Sequence, residues 1–308
     1  MASTCLFASV AALALLVPGT ASGQAWTQPA GHAYLKVSSQ QTAANEQFRQ
    51  DGSLAPYAPG VESNGFEDSS RYLYAEYGLR DGLTVIALLP WKRITVSSPH
   101  PQAASGLPGT DRPITASASG FERLKVALRM DVSERIGLRA DGRHRSALNV
   151  SAHLPLGYDR DAMPGLGPGQ VDLDAMLFFG TSFWPVPAYA QLGAGFRVRT
   201  GLFGLSRGDS PEPDYGNEWL VHAEAGLNLG KQVLLQGLVL GAISNESPQV
   251  AFDPQNPIPT HQRYLKTGLG ATFSPIPLLG LSFQIFSTAS GANTVRSTDI
   301  FFGLEARL

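Results

Sequence analysis

Cysteine is all but missing from this chain. Of 308 residues only Cys5 carries a thiol, and it precedes an apolar run rather than following one, which excludes the lipidated cysteine of a lipoprotein. Without Cys5 the chain has no disulfide framework and no thiolate metal site. Charge is thin as well: Asp, Glu, Lys and Arg make up 16% of the residues, against roughly 25% in soluble domains. The formal net charge is −2, so no polybasic surface points to nucleic acid. No His-Glu-x-x-His and no His/Cys cluster is present, so neither a metal nor a cofactor is expected. Beyond residue 17 nothing approaches the ~18 consecutive apolar residues of a membrane-spanning helix. What the chain has instead is 33 Gly and 22 Pro, which suit short strands and turns better than long helices.

The N-terminus carries an address. Leu6–Val17 is an apolar stretch interrupted only by Ser9. Pro18 and Gly19 break it, and small residues follow at Ala21, Ser22 and Gly23. This is the pattern of a signal peptide, residues 1–23, cleaved before Gln24 or just after Ala25, although Met1–Cys5 lacks the usual Lys or Arg. The mature chain, residues 24–308, is then a secreted protein.

From Gln24 onward, hydrophobicity alternates with period two. Ile300, Phe302, Leu304, Ala306 and Leu308 share one face of the last segment, while Asp299, Gly303, Glu305 and Arg307 share the other with Phe301. A helix would scatter these apolar side chains around its circumference; a strand sets them on one side. Trp219–Leu229 and Glu122–Met130 read the same way. Taken together the alternating runs predict about twelve strands, at 32–42, 69–79, 82–96, 120–132, 145–156, 169–181, 188–200, 216–229, 232–244, 263–274, 280–289 and 295–308.

The connections alternate too. Those after strands 2, 4, 6, 8 and 10 are short, as at Arg80-Asp81-Gly82 and Gly230-Lys231, whereas Thr42–Asp68, Ser97–Ser119 and Ser244–Gln262 are long and rich in Gly, Pro, Ser and Asn. A soluble sandwich has no reason to lengthen every second loop. An outer-membrane barrel does, with short periplasmic turns and longer extracellular loops. Strands in lipid must pair at both edges, because an unpaired amide there costs several kcal/mol, and closure removes the edges. The expected fold is therefore all-β: a closed antiparallel transmembrane β-barrel in the bacterial outer membrane. Its apolar face meets outer-membrane lipid, and barrel-assembly machinery is its partner during biogenesis.

On that reading the polar face lines the lumen. The expected lumenal side chains are the bases Lys36, Arg123, Lys125, Arg129, Arg197, Arg199 and Lys266, the acids Glu76, Asp172, Asp174, Glu224 and Glu305, and His222. Their near balance argues against strong ion selectivity. Asp172 and Asp174, next to Arg197 and Arg199, read as a salt-bridge ladder rather than as a general acid and base. Lys36 is expected between Glu76 and Glu305 in an acid–base–acid row. Trp91, Trp184, Trp219, Tyr189, Tyr264, Phe183 and Phe203, near strand ends, read as interfacial girdles.

No motif makes a strong case for catalysis. Gly204-Leu205-Ser206-Arg207-Gly208 matches the G-x-S-x-G pattern, but it lies in a presumed loop followed by a strand, not in a strand-to-helix turn. His144 and Ser146, two apart, could share a strand face as in an outer-membrane lipase, but a working site would also need an orienting third group and an oxyanion donor. Arg143 and Arg145, bracketing the histidine near a periplasmic turn, read as an exposed basic rim. Gly165-Leu166-Gly167-Pro168-Gly169 has no helix to present amides to a phosphate and reads as a loop.

Several segments resemble the outer-membrane meta-pathway phenol-degradation family, a transporter group with relatives linked to exopolysaccharide and adhesin export. They are Ala25-Trp26-Thr27-Gln28-Pro29, Glu76-Tyr77-Gly78-Leu79-Arg80-Asp81-Gly82-Leu83, His153-Leu154-Pro155-Leu156-Gly157 and Gly167-Pro168-Gly169-Gln170-Val171-Asp172-Leu173. The resemblance implies a monomeric barrel passing small apolar or aromatic molecules. One departure is the final residue, Leu308, where such barrels commonly end in an aromatic. A non-transport barrel tied to adhesion or exopolysaccharide is the alternative, and a lipase a further one.

Overall fold

The computed structural model describes residues 23–58, 65–98, 113–138, 143–159, 162–200, 215–246, 253–255 and 257–308. The apolar run of the expected signal peptide, Phe203 and the motif 204–208 lie outside the described residues.

The strands are β1 (Ala33–Phe48), β2 (Leu54–Pro56), β3 (Phe66–Arg80), β4 (Leu83–Ser98), β5 (Ile114–Phe121), β6 (Arg123–Asp131), β7 (His144–Pro155), β8 (Asp172–Ser182), β9 (Ala188–Arg199), β10 (Glu218–Leu229), β11 (Val233–Ser244), β12 (Arg263–Ile276), β13 (Leu279–Ala292) and β14 (Thr294–Arg307). Each wall strand pairs antiparallel with its sequence neighbour, and β14 returns to pair with β1. The sheet is thereby closed, and no backbone edge faces lipid along the seam.

β5 and β6 form one wall strand. Both pair with β4, but between Leu88↔Lys125 and Trp91↔Phe121 the register advances three residues on β4 and four on its partner. This is a β-bulge, centred on Glu122. β2 is a short strand inside a loop and pairs only with the end of β1. The wall thus has twelve strands, the expected number, with boundaries within a few residues of those read from the alternation except where β1 and the β5–β6 strand run further toward the loops.

Turns at one end are short, as at Asp81-Gly82 and between β10 and β11, and the longest carries a 3-10 turn at Glu134–Ile136. Loops at the other end are long, with one exception: β13 and β14 meet across Asn293 alone, which sits at φ 56°, a left-handed conformation that Asn tolerates better than most residues.

Burial follows the period-two pattern. Outward side chains are apolar and exposed, Leu192 at 63% and Leu269 at 68%, while their inward neighbours Gln191, Asp172 and Glu218 are at 1% or less. Most large apolar side chains of the wall lie on the outside and most ion pairs inside it. That inverts a soluble barrel and suits a wall solvated by lipid.

The girdle expectation needs correcting. Phe183, Trp184 and Trp219 are exposed near strand ends, but Tyr189 is 4% exposed and turns inward to hydrogen-bond Glu224. Tyr264 lies opposite buried Ala242 and also points in. Both share strand parity with inward polar residues, Gln191 and Lys266 respectively. In the polar interior the Tyr189 hydroxyl finds Glu224 and Gln236, and Lys266 lies 5.9 Å from the Tyr264 ring, partners that lipid tails would not supply.

Candidate functional site: a charged lumen crossed by the N-terminal segment

The extracellular end of the lumen is apolar. Tyr57, Ala58, Phe66, Ile94, Val96 and Leu166 pack into one buried cluster with Ala44. Leu166 arrives on the loop between β7 and β8, whose residues 164–171 fold inward and are all buried. The glycine-rich stretch 165–169 is thus a loop, as expected, but one that lies inside the barrel. The first long loop supplies Tyr57, whose hydroxyl donates to the Pro254 carbonyl oxygen at 2.8 Å. Burial pushes that hydroxyl well above the ordinary phenol range.

Beneath this cluster runs a belt of ion pairs. Lys92 lies 3.3 Å from Glu122 and 3.8 Å from Asp68. Arg123 bridges Glu122 at 2.9 Å and Asp172 at 2.6 Å. Arg197 joins Asp174 at 2.7 Å to Glu218 at 3.0 Å. Arg199 stands 3.8 Å from Asp172 and 3.6 Å from Glu218, and stacks on Tyr215 at 4.3 Å. Lys125 and His153 both approach Asp174, at 3.9 and 2.7 Å. Register produces the rungs, since Asp172 lies opposite Arg199 and Asp174 opposite Arg197. A one-residue slip would turn every one of these charges toward lipid, so the belt fixes register more than it adds stability. Where it meets the apolar cluster there is a pocket of about 180 Å³, with Phe66, Ile94 and Leu166 on one side and Lys92, Arg123 and Arg199 on the other.

On the opposite wall Lys266 pairs with Asp299, which also accepts a hydrogen bond from Thr42 at 2.9 Å. His222 lies 3.8 Å from Glu224, itself held by Tyr189, Gln191 and Gln236. Lys36 sits directly opposite Glu305 across the β1–β14 seam, 3.2 Å away. The third member of the expected row is elsewhere. Glu76 lies opposite Tyr34 rather than Lys36. Its carboxylate is claimed by Arg129 at 3.0 and 3.2 Å, reaching across β4, and by the Tyr74 hydroxyl. The antiparallel stagger puts Glu76 two residues nearer the periplasmic turn than Lys36, and the planar Arg129 guanidinium there donates one hydrogen bond to each carboxylate oxygen.

The periplasmic half holds a feature that alternation could not reveal. Residues 23–30, just before β1, run inward from the seam and cross the mouth to the far wall. At the rim the Ala30 amide donates to Asp81. Next, the Gln28 amide donates to Thr84 at 2.8 Å and its side chain to Glu76 at 2.6 Å. Arg129, 1% exposed, donates to the Trp26 carbonyl at 3.0 Å and to Gln24 Oε1 at 2.8 Å. Asn149 also donates to Gln24, and the Ala25 amide reaches Gln191 Oε1 at 3.0 Å. The Trp26 ring meets Tyr189 edge-on at 5.9 Å and lies against Gly180, where a Cβ would come within 2.5 Å of it. This crossbar touches β3, β4, β6, β7, β8 and β9. The sequence signal was present in Ala25-Trp26-Thr27-Gln28-Pro29, but read there only as a point of family resemblance. Glu218, Lys92, Asp68 and Glu122 were also missed, although Glu218 has the parity of Glu224 on the same strand.

The two residues considered for lipase chemistry are not assembled. The His144 ring stacks on Phe179 at 6.1 Å, while Ser146 is buried, exchanges hydrogen bonds with Ser133 and donates to the Phe178 carbonyl.

No protein-family model matches the chain, and no curated protein does. Solved structures do. A COG4313 outer membrane channel from Pseudomonas putida F1 superimposes with a TM-score of 0.68 at 14% identity, over 94% of this chain and 99% of the other. The NanC porin gives 0.51 at 5% identity, over 89% and 100%. At these identities the likeness is one of fold. A closed barrel with an apolar outer wall and a charged interior, built like these, is a protein of the bacterial outer membrane.

Proposed function

We propose that the chain is an outer-membrane channel for small apolar or aromatic molecules, closed at the periplasmic mouth by its own N-terminal crossbar. The observation that carries the reading is the crossbar. A barrel meant only as a structural element can fill its lumen with wall side chains, whereas here a separate segment, tethered at one end, occupies a mouth that would otherwise be open. The apolar cluster at the extracellular end supports a solute that leaves water easily. The sequence resemblance to phenol-degradation transporters and the channel role of the Pseudomonas putida structure point the same way. Removal of residues 1–23 is part of the proposal, because only a free N-terminus near Gln24 can thread into the lumen. The alternating end of β14 supports recognition by barrel-assembly machinery despite the final Leu308.

Planar-bilayer recording tests the reading. Purified full-length mature protein should give discrete conductance steps, and a chain lacking Gln24–Gln28 should be open for a larger share of the time. If neither protein gives steps after verified insertion, the transport reading is wrong and a structural or adhesion-related barrel takes its place.

A further inference from the structure

Each lysine and arginine of the inner wall described above lies within 4 Å of a carboxylate. Two arginines on the outer wall do not. Arg71 on β3 and Arg93 on β4 are both exposed and share the outward face of adjacent strands. Neither has a carboxylate partner among the described residues. Of the nearest outward acids, Glu46 is taken by Arg296 at 2.6 Å and Glu67 has a partner of its own.

Their level on the barrel is informative. Arg71 lies opposite Trp91, its guanidinium 5.8 Å from the ring centroid. Phe121 is the partner of Trp91 on the next strand, and Ser119 the partner of Arg93. Below this line, toward the periplasm, the outward residues are lipid-compatible: Leu73, Tyr77, Leu79, Val85 and Leu89. Above it they are polar, with Ser69 held by Gln41 at 2.9 Å. Aromatic belts mark the headgroup level of a membrane, so the two guanidinium groups project just where outer-leaflet headgroups begin. Like charges on neighbouring strands repel, and in that layer the anion that can offset them is a phosphate. A guanidinium matches phosphate oxygens with paired N–H donors.

We propose that Arg71 and Arg93, with Ser69 and Trp91 beside them, clamp the phosphate of an outer-leaflet glycolipid, its acyl chains lying along Leu73 and Leu89. The inference rests on outer-membrane residence and is independent of any transport activity.

Native mass spectrometry of the folded full-length mature protein tests it, using bis-phosphorylated lipid A, enzymatically dephosphorylated lipid A and inorganic phosphate as probes. The wild type should retain phosphorylated lipid A at least tenfold more tightly than the dephosphorylated form. The Arg71→Gln/Arg93→Gln double variant should lose that preference, while Arg71→Lys/Arg93→Lys should keep part of it. Heat-modifiable migration on gels confirms that each variant is folded. Should a variant fail to fold, the dephosphorylated-lipid comparison on wild type still decides. Equal retention of the two lipids, or an unchanged preference in the folded glutamine variant, overturns the proposal. Displacement of the lipid by equimolar inorganic phosphate would also overturn it, by assigning the site to the free ion.

Discussion

Trp26→Ala isolates the crossbar from the rest of the barrel. The segment is held by seven hydrogen bonds to the wall, four of them to charged groups. At roughly 1 kcal/mol for a neutral bond and about 2 for a charged one, this hold amounts to ~11 kcal/mol. Partial burial of the Trp26 ring against Tyr189 and Gly180 adds about 2. Fixing the seven mature residues 24–30 opposes it by ~7–14 kcal/mol. The two sides nearly cancel, so the bar is poised between seated and withdrawn. Removing the indole should shift that equilibrium by about 2 kcal/mol, or roughly 30-fold toward withdrawn, since 1.4 kcal/mol is a factor of ten. Trp26 lies before β1 and belongs to no strand, so the barrel itself should keep its stability. Single-channel recording reads the shift as open probability. An unchanged open probability in Trp26→Ala, together with an unchanged one after deletion of Gln24–Gln28, would refute the reasoning, because a bar that can be lost without effect closes nothing.

Four further outcomes are expected. Leu128→Arg or Val221→Arg, on the lipid face, should each cost ~2–4 kcal/mol in folding titrations; a neutral result would mean the inside and outside of β6 or β10 are exchanged. Gly226→Arg should be no milder, because a Cβ there would lie 2.2 Å from the Tyr189 ring. Cysteines at Lys36 and Glu305, register partners across the seam, should oxidise to a disulfide, since facing residues of antiparallel strands stand about 4.5–5.5 Å apart; no crosslink in inserted protein would move the seam. Intact mass of protein from outer membranes should place the first residue between Gln24 and Trp26, and a chain retaining Met1 would contradict both cleavage and a threaded N-terminus.

What could be read from the sequence was whatever a period of two encodes. Lipid outside and charge inside give β14 its Ile300–Leu308 face and its Asp299–Arg307 face, so strand number, spans and the Asp172–Arg199 and Asp174–Arg197 rungs followed from parity and neighbour order. Parity cannot give stagger, and so Glu76 was set beside Lys36 when the register hands it to Arg129. Proximity to a strand end cannot separate an interfacial tyrosine from an inward one, and so Tyr189 and Tyr264 were placed in the girdle. The crossbar escaped for a different reason. Residues 23–30 have no periodicity, and their place is set by side chains far away in sequence, Gln191 and Arg129 among them. Only the closed wall brings those groups to one mouth.

The most direct test of the account is uptake by cells. Initial rates of entry of a labelled monoaromatic hydrocarbon should be compared in a strain lacking this chain, the same strain carrying it, and the same strain carrying the form without Gln24–Gln28. The account predicts faster uptake with the full chain than without it, and uptake at least as fast with the crossbar removed. Equal rates in all three strains, with both proteins present and folded in the outer membrane, would contradict it.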